Sequence, residues 1–360
     1  MKDNYIYGEI LNKMEFKINE RLIGISQPPY IVAELSANHN GSLELALQSI
    51  EIAKKMGADA IKIQTYSAGT LTIDAEQDDF QISEGTWKGR SLYSLYEEAE
   101  TPYEWHKTIF EHAKKIGITI FSTPFDESAV DLLEDLNTPA YKIASFEIID
   151  LPLIKYVAKK GKPMIISTGM ANLDEISDAV SVAKDNGCKD LILLHCISGY
   201  PAPVNQSNLY TIQDLKKRFN LNIGLSDHTM GTEVSVAGVA LGACLIEKHF
   251  TISRKSNSPD SAFSLEPKEL ERLCVETHNA WSALGNSGYE LREVEKENLK
   301  FRRSIYAVKD IPKGDTMTNE NIRSIRPGYG LKPKYYKDII GKKVNKMIKR
   351  GTAIKWEHIL

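Results

Sequence analysis

Two short runs, Gly224-Leu225-Ser226-Asp227-His228-Thr229 and Leu245-Ile246-Glu247-Lys248-His249-Phe250, each lead apolar residues into an imidazole. Apolar runs of this length read as buried strands of a parallel sheet, and a polar residue at a strand's exit points at a site. Imidazole binds first-row divalent metals through one ring nitrogen while a neighbour orients the other. Two histidines arriving this way can share one ion and leave its remaining positions to water and substrate, as a catalytic metal requires. A lone histidine is more often a satisfied core residue; the pairing argues for ligands. Asp227, Glu247 and Asp260 are candidate supporting acids, or else solvated loop carboxylates. Nitrogen ligands argue against a purely oxygen-coordinated ion, while zinc, manganese and magnesium all stay open.

A second group carries charge. Lys62 and Lys142 stand at the ends of two further apolar runs, near the hydroxyls of Thr123, Ser145 and Ser167. Lysines supply charge, and hydroxyl and backbone N–H groups supply directional donors, a combination that suits phosphate or carboxylate. One such lysine would merely extend its ammonium to solvent; two beside the hydroxyl set favour anion binding. Glu34 and Glu147 are the leading acid/base candidates, since a carboxylate in an enclosed mouth has a shifted pKa. The competing reading pairs them in salt bridges with Lys62 or Lys142, and both can hold together. Cys196 reads as a small core residue, because nothing around it resembles a thiol-enzyme motif.

The elements that position these groups follow one rhythm. Strands are expected at Tyr30–Leu35, Ala58–Gln64, Ile118–Ser122, Ala140–Ser145, Pro163–Ser167, Leu191–Cys196, Asn222–Ser226 and Cys244–His249, each followed by a helical stretch. The helices include Leu43–Met56 after a Ser42 cap, Pro102–Ile116 and Pro267–Leu284. Eight strand-then-helix units predict a (β/α)8 barrel, which keeps its chemistry at the carboxyl ends of its strands. Those ends are Glu34; Lys62 with Gln64; Ser122-Thr123; Lys142 with Ser145 and Glu147; Ser167-Thr168-Gly169; His195 with Ser198 and Tyr200; Asp227-His228; and Glu247 with His249. A doubly wound sheet would carry a Gly-rich phosphate fingerprint after its first strand, and none is present. The long polar and aromatic segment Thr65–Thr101, with Trp87, Tyr93 and Tyr96, reads as a functional loop. Residues 1–28 predict a short hairpin or cap.

A chain of 360 residues exceeds an ordinary single domain. We divide it into a barrel over 1–285, a charged linker over 286–300 and a small β-rich domain over 301–360. A formal charge of −3 with no long basic block argues against nucleic acid. Four cysteines without CxxC spacing suit a reduced cytoplasm, and no apolar run is long enough to span a membrane.

Read in order, several motifs resemble the sialic acid synthase family: Ile31-Val32-Ala33-Glu34-Leu35-Ser36-Ala37-Asn38-His39-Asn40-Gly41, Lys62-Ile63-Gln64-Thr65, Phe121-Ser122-Thr123-Pro124-Phe125-Asp126, Tyr141-Lys142-Ile143-Ala144-Ser145, Ser167-Thr168-Gly169-Met170, Gly224-Leu225-Ser226-Asp227-His228 and Glu247-Lys248-His249-Phe250. The tail from Arg302-Arg303-Ser304-Ile305-Tyr306 through Ile325-Arg326-Pro327-Gly328 resembles that family's antifreeze-like (SAF) domain. The resemblance implies condensation of phosphoenolpyruvate with an open-chain N-acylated aminosugar, phosphate leaving by C–O cleavage. It makes His228 and His249 the ligands of Mn²⁺, with Mg²⁺ or Co²⁺ as alternatives. It assigns Lys62, Thr123, Lys142, Ser145 and Ser167 to phosphoenolpyruvate, and Glu34, Glu147, Tyr200 and Asp260 to the sugar. Gln64 and Ser198 join them as substrate contacts. Arg326 would reach the N-acyl group from a partner subunit, implying a domain-swapped homodimer. Within the family, Thr101-Pro102-Tyr103-Glu104-Trp105-His106 and Arg326-Pro327-Gly328-Tyr329-Gly330-Leu331 look most like the pseudaminic acid synthase branch, whose sugar is 2,4-diacetamido-2,4,6-trideoxy-L-altrose. Ser198 supports that branch: N-acetylneuraminate synthases tend to carry Asn there, and a shorter side chain suits a less hydroxylated sugar. The alternatives are an N-acetylneuraminate or legionaminate synthase, a sugar-binding module without catalysis, and an aldolase using Lys142 as a Schiff base.

Overall fold

A hairpin of β1 (Phe16–Ile18) and β2 (Arg21–Ile23) comes first in the residues 16–360 that the computed structural model describes. It matches the later part of the hairpin or cap expected over 1–28; residues 1–15 lie outside the described residues. Eight parallel strands follow: β3 (Tyr30–Glu34), β4 (Ala60–Thr65), β5 (Thr119–Pro124), β6 (Tyr141–Ile143), β7 (Met164–Ser167), β8 (Leu191–Cys196), β9 (Asn222–Ser226) and β10 (Leu245–His249). They pair in chain order and β10 closes back onto β3, so the expected (β/α)8 barrel is formed. The strand ends fall within two residues of the expected positions. Several helices start on side-chain caps, Ser42, Asp126, Asp150 and Asn172 among them, each accepting a backbone N–H of the first turn.

Side-chain parity sorts the barrel into two layers. Side chains alternate along a strand, so every second residue faces the barrel axis. Tyr30, Val32, Ala60, Phe121, Ala140, Ile165, Ile192, Leu194 and Leu245 form one apolar cluster, joined by Ile18 and Ile23 of the hairpin. The alternate residues, among them Ile31, Ala33, Ile61, Ile63, Ile120, Ile143, Ile166, Leu193 and Ile246, pack in the layer of the surrounding helices. The axial cluster therefore plugs the amino end of the barrel. One step of two residues beyond it, the same inward parity delivers the polar groups. Gly224 belongs to this inward set, and a Cβ there would meet Leu194 and the Leu245 carbonyl at 2.5 Å each, so only glycine fits the axis at that level.

Residues 66–101 hold more structure than a loop. They contain helices Ala68–Leu71 and Leu92–Ala99, with a hairpin-like turn between them in which Ile82 and Arg90 pair through the backbone. The described residues divide into two compact units between Gly285 and Asn286. Residues 286–300, read as a linker, cluster with the second unit, and Glu293–Phe301 is a 3-10 helix. That unit pairs β11 (Ser304–Ala307) antiparallel with β12 (Ile322–Ile325) around a core of Ile305, Met317, Ile322, Val344 and Ile354. Among the described residues, no helix is long and apolar enough to cross a membrane.

Candidate active site

Val32 lies in the axial plug, and two residues on stands Glu34; the same step carries Ala60 to Lys62, Ala140 to Lys142 and Leu245 to Glu247. These four ionisable side chains are all buried. Lys62 Nζ lies 2.6 Å from a Glu34 carboxylate oxygen and 3.9 Å from Glu247, and Lys142 Nζ lies 3.3 Å from Glu247. Lys62 also donates to Thr123 Oγ1 at 3.1 Å, Gln64 Nε2 to Glu34 Oε1 at 3.1 Å, and Ser226 Oγ to Glu247 Oε1 at 2.9 Å. Burial and the neighbouring Glu247 charge push Glu34 up to about 7 against the pull of Lys62. Burial alone would raise Glu247 too, but Lys142 and Lys62 together hold it down to about 2. The bed therefore sets Lys62 and Lys142 against the ionised Glu247 and a Glu34 whose carboxyl burial raises, while burial lowers Lys142, an arrangement an entering anion can join. The salt-bridge reading of Glu34 is realised without removing its capacity to titrate near neutrality.

The two histidines arrive above this bed. Their rings are 5.5 Å apart, and both lie against the ring of Tyr200, 4.4 Å from His228 and 6.1 Å from His249. Burial takes His228 down to about 4 and His249 well below its usual range, so both are neutral. His228 Nδ1 lies 2.9 Å from the Ile197 carbonyl, which only accepts; Nδ1 is thus the protonated nitrogen and Nε2 keeps a free lone pair. His249 Nδ1 is buried without a hydrogen-bond partner, 3.7 Å from an oxygen of Asp260. Asp260, buried and raised by burial, receives the Ala37 N–H at 3.5 Å. Two neutral imidazoles at this separation are candidate ligands for a divalent metal. Among the described residues no group of three or more His, Cys, Asp and Glu side chains is disposed to hold one.

The hydroxyls form a further group. Ser145 Oγ and Ser198 Oγ are 2.8 Å apart, and Ser167 Oγ is buried without a partner. Gly169, at φ +48°, makes this possible: a Cβ there would lie 2.4 Å from Ser145 Cβ and 2.8 Å from Ser198 Oγ. Glu147 Oε2 is likewise buried without a hydrogen bond, and burial pushes its carboxyl up to about 7.

Three of the strand-exit residues face the other way. Asp227, His195 and Ser122 have outward parity, so the expectation that they share the rim is corrected here. Asp227 pairs with Lys248 at 2.9 Å and accepts from Ser235 at 2.6 Å and from the Thr229 N–H and hydroxyl. His195 Nε2 donates to the Ser207 carbonyl at 2.6 Å. Ser122 joins Thr65 and His106 in a buried network, with Thr65 Oγ1 2.6 Å from Ser122 Oγ and 2.8 Å from His106 Nε2. Arg326 belongs to the second unit, where it is exposed after β12. Sequence alone marks Glu247 as a strand-exit residue and possible supporting acid and does not single out Ser226 for the site; counting in twos from the apolar plug picks out both.

A cavity of about 430 Å³ opens beside His249. Gln64, Ser145, Glu147, Tyr200, His249 and Asp260 line one side, and side chains of the 66–101 segment line the other. The tip of that segment is tied across: Trp87 Nε1 donates to the Pro259 carbonyl at 3.0 Å and Thr86 Oγ1 to the Tyr200 carbonyl at 2.8 Å. The Trp87 ring lies 5.9 Å from that of Tyr200.

A barrel whose mouth holds a buried bed of lysines and carboxylates, two histidines and a cavity of small-molecule size has the make-up of an enzyme site. Residues 49–289 match the NeuB family and residues 302–360 match the SAF domain. A pseudaminic acid synthase of Campylobacter jejuni is 48% identical over 326 residues, covering 91% of this chain and 95% of that protein. An N,N'-diacetyllegionaminic acid synthase of the same species is 41% identical over 329 residues, covering 90% and 98%. The solved N-acetylneuraminic acid (sialic acid) synthetase of Leptospira borgpetersenii, in complex with citrate, superposes with a TM-score of 0.71 at 35% identity, covering 80% of this chain and 96% of that one. The chain belongs to the NeuB family, the sialic acid synthases, and is an enzyme of the transferase class that ends in a SAF domain.

Proposed function

We propose that this chain is a pseudaminic acid synthase, condensing phosphoenolpyruvate with 2,4-diacetamido-2,4,6-trideoxy-L-altrose in the cytoplasm. The observation that carries the reading is the convergence of two neutral histidines with a buried bed of lysines and carboxylates in one barrel mouth. The higher identity to the pseudaminic than to the legionaminic acid synthase of one species supports the choice of sugar.

In this reading Lys62, Lys142, Thr123, Ser145 and Ser167 hold the phosphate and carboxylate of phosphoenolpyruvate. Gln64, Ser198, Tyr200 and Asp260 orient the sugar. C3 of phosphoenolpyruvate forms a bond to the aldehyde carbon, water adds at C2, and the C2–O bond breaks to release phosphate. Glu34 and Glu147 both titrate near 7, which suits one to deliver a proton to the aldehyde oxygen and the other to take one from the water. His228 and His249 would hold the divalent ion, most simply Mn²⁺, with Mg²⁺ or Co²⁺ also suited. Such an ion supplies Lewis acidity at an oxygen where negative charge develops. Arg326 of the small domain would meet the sugar's N-acyl group in a partner subunit, making a domain-swapped homodimer the working form.

The test is product identification by mass spectrometry with a panel of sugars. Pseudaminic acid from the altrose sugar is the expected product. Turnover of N-acetylmannosamine or the legionaminate precursor alone would transfer the assignment to those branches, and binding of sugar without any product would make the chain a sugar-binding protein.

A further inference from the structure

The two sides of the cavity differ in chemistry. The polar groups that can act on a carbonyl, Ser145, Glu147, His249 and Asp260, all lie on the barrel side. The side supplied by residues 66–101 presents Leu71, Ile82, Trp87, Leu92 and Leu95, backed by Phe125 from the end of β5. Apart from two phenols, Tyr66 and Tyr96, this wall offers a ligand no hydrogen-bonding side chain, and the Tyr66 ring is itself packed edge-on against Phe125 at 5.1 Å and Tyr96 at 6.0 Å. Leu95 is the most buried of the aliphatic members, at 6% exposure. Trp87 and Thr86 fasten the outer edge of the wall to the loops that carry Tyr200 and Asp260, so it is held at a set distance from the polar side.

A substrate whose aldehyde faces the polar side must direct its other end into the aliphatic wall. We infer that the 66–101 insertion is the specificity element of the site, reading the end of the sugar remote from its aldehyde as a deoxygenated methyl terminus, with Leu95 at the centre of the contact. This inference rests on the proposed condensation. A methyl group there replaces water against leucine and phenylalanine. A terminal hydroxyl set against Leu95 and its aliphatic neighbours would be desolvated there, which an apolar contact penalises by roughly ten- to a hundredfold in kcat/KM. Leu95 is a specificity-determining residue in this scheme and takes no part in proton transfer or anion binding.

The experiment compares kcat/KM for the 6-deoxy sugar and its 6-hydroxy counterpart of the same configuration. The wild type is expected to favour the deoxy sugar by about ten- to a hundredfold. Leu95→Ser should lower that ratio about tenfold while leaving KM for phosphoenolpyruvate unchanged, and Leu95→Met should keep the preference. Leu92→Ser, at a half-buried position, provides the same reading if Leu95→Ser does not fold. Equal use of both sugars by the wild type, or an unchanged ratio in a folded serine variant, overturns the inference and leaves the condensation standing. Turnover of neither sugar overturns the choice of sugar in the proposed function, and the inference with it.

Discussion

Strands β9 and β10 end in two acid–lysine clusters that are one residue out of step. Lys248 and Asp227 point outward; Glu247 points inward to Lys62 and Lys142. Both clusters are buried, and both join carboxylate to ammonium. They differ in saturation. Asp227 is met by Lys248, Ser235 and Thr229, and Lys248 also donates to the Thr229 carbonyl at 2.6 Å. Every charge has its partner there, so the pair acts as a bolt between the strand ends and the helix Glu233–Ala240. Inside, two lysines share Glu247 at 3.3 and 3.9 Å, Glu34 is only partly ionised near neutrality, and Ser167 Oγ has no partner. A completed network stabilises, whereas one left short of negative charge waits for a ligand.

Matched substitutions break the comparison most sharply. Lys142→Met should lower kcat/KM for phosphoenolpyruvate by roughly 10²–10³-fold, the usual cost of losing a preorganised charge, in steady-state assays of phosphate release. Lys248→Met should instead cost roughly 3–5 kcal/mol of stability, because it strands the buried Asp227, and should leave turnover per folded molecule nearly unchanged. Denaturant unfolding reads the second effect.

The two clusters also titrate apart. Asp227 is held below its ordinary value by Lys248 and its hydroxyl partners despite burial, whereas burial raises Glu34 and Glu147 to about 7. A carboxyl raised in the folded state binds its proton more tightly there than in the unfolded chain. Its contribution to stability is therefore full below its unfolded pKa and is lost as pH rises through about 7. Glu147→Gln should flatten that part of the stability curve and delete one inflection near 7 from the kcat/KM profile, while Asp227→Asn leaves the profile unmoved. The smallest expected contrast is between two hydroxyls. Ser235→Ala should cost roughly 1.5–3 kcal/mol of stability with activity kept, and Ser226→Ala should change KM for phosphoenolpyruvate a few-fold.

The same contrast marks what the sequence made legible. Eight apolar runs were enough for the barrel, because strands covered on both faces read as continuous hydrophobic stretches. Those stretches conceal parity for the same reason: in Leu191–Cys196 no alternation shows which residue faces the axis, so His195 was counted with the rim although it points out. Asp227 next to His228, and Ser122 next to Thr123, were grouped with their neighbours by adjacency alone. Lys62, Lys142 and His249 do share the inward parity, since each alternates with outward residues of its own strand, and the His228 ring lies 5.5 Å from that of His249. The wall built by residues 66–101 is legible in sequence as a long aromatic segment with a functional reading, and Trp87 and Tyr96 do line the cavity, but its helices and its cross-links are not. Its helices are short, and the bonds of Thr86 and Trp87 go to backbone carbonyls far along the chain, which no local pattern announces.

The central claim is that the inward cluster and the histidine pair act together as one condensing site. The direct measurement follows phosphate and product together in the purified protein, with phosphoenolpyruvate, the deoxy sugar and Mn²⁺ supplied jointly and then omitted one at a time. The account predicts equal amounts of phosphate and condensed nine-carbon acid from the complete mixture, and neither when any component is left out. Phosphate released without sugar, or turnover undiminished after thorough chelation, would contradict it.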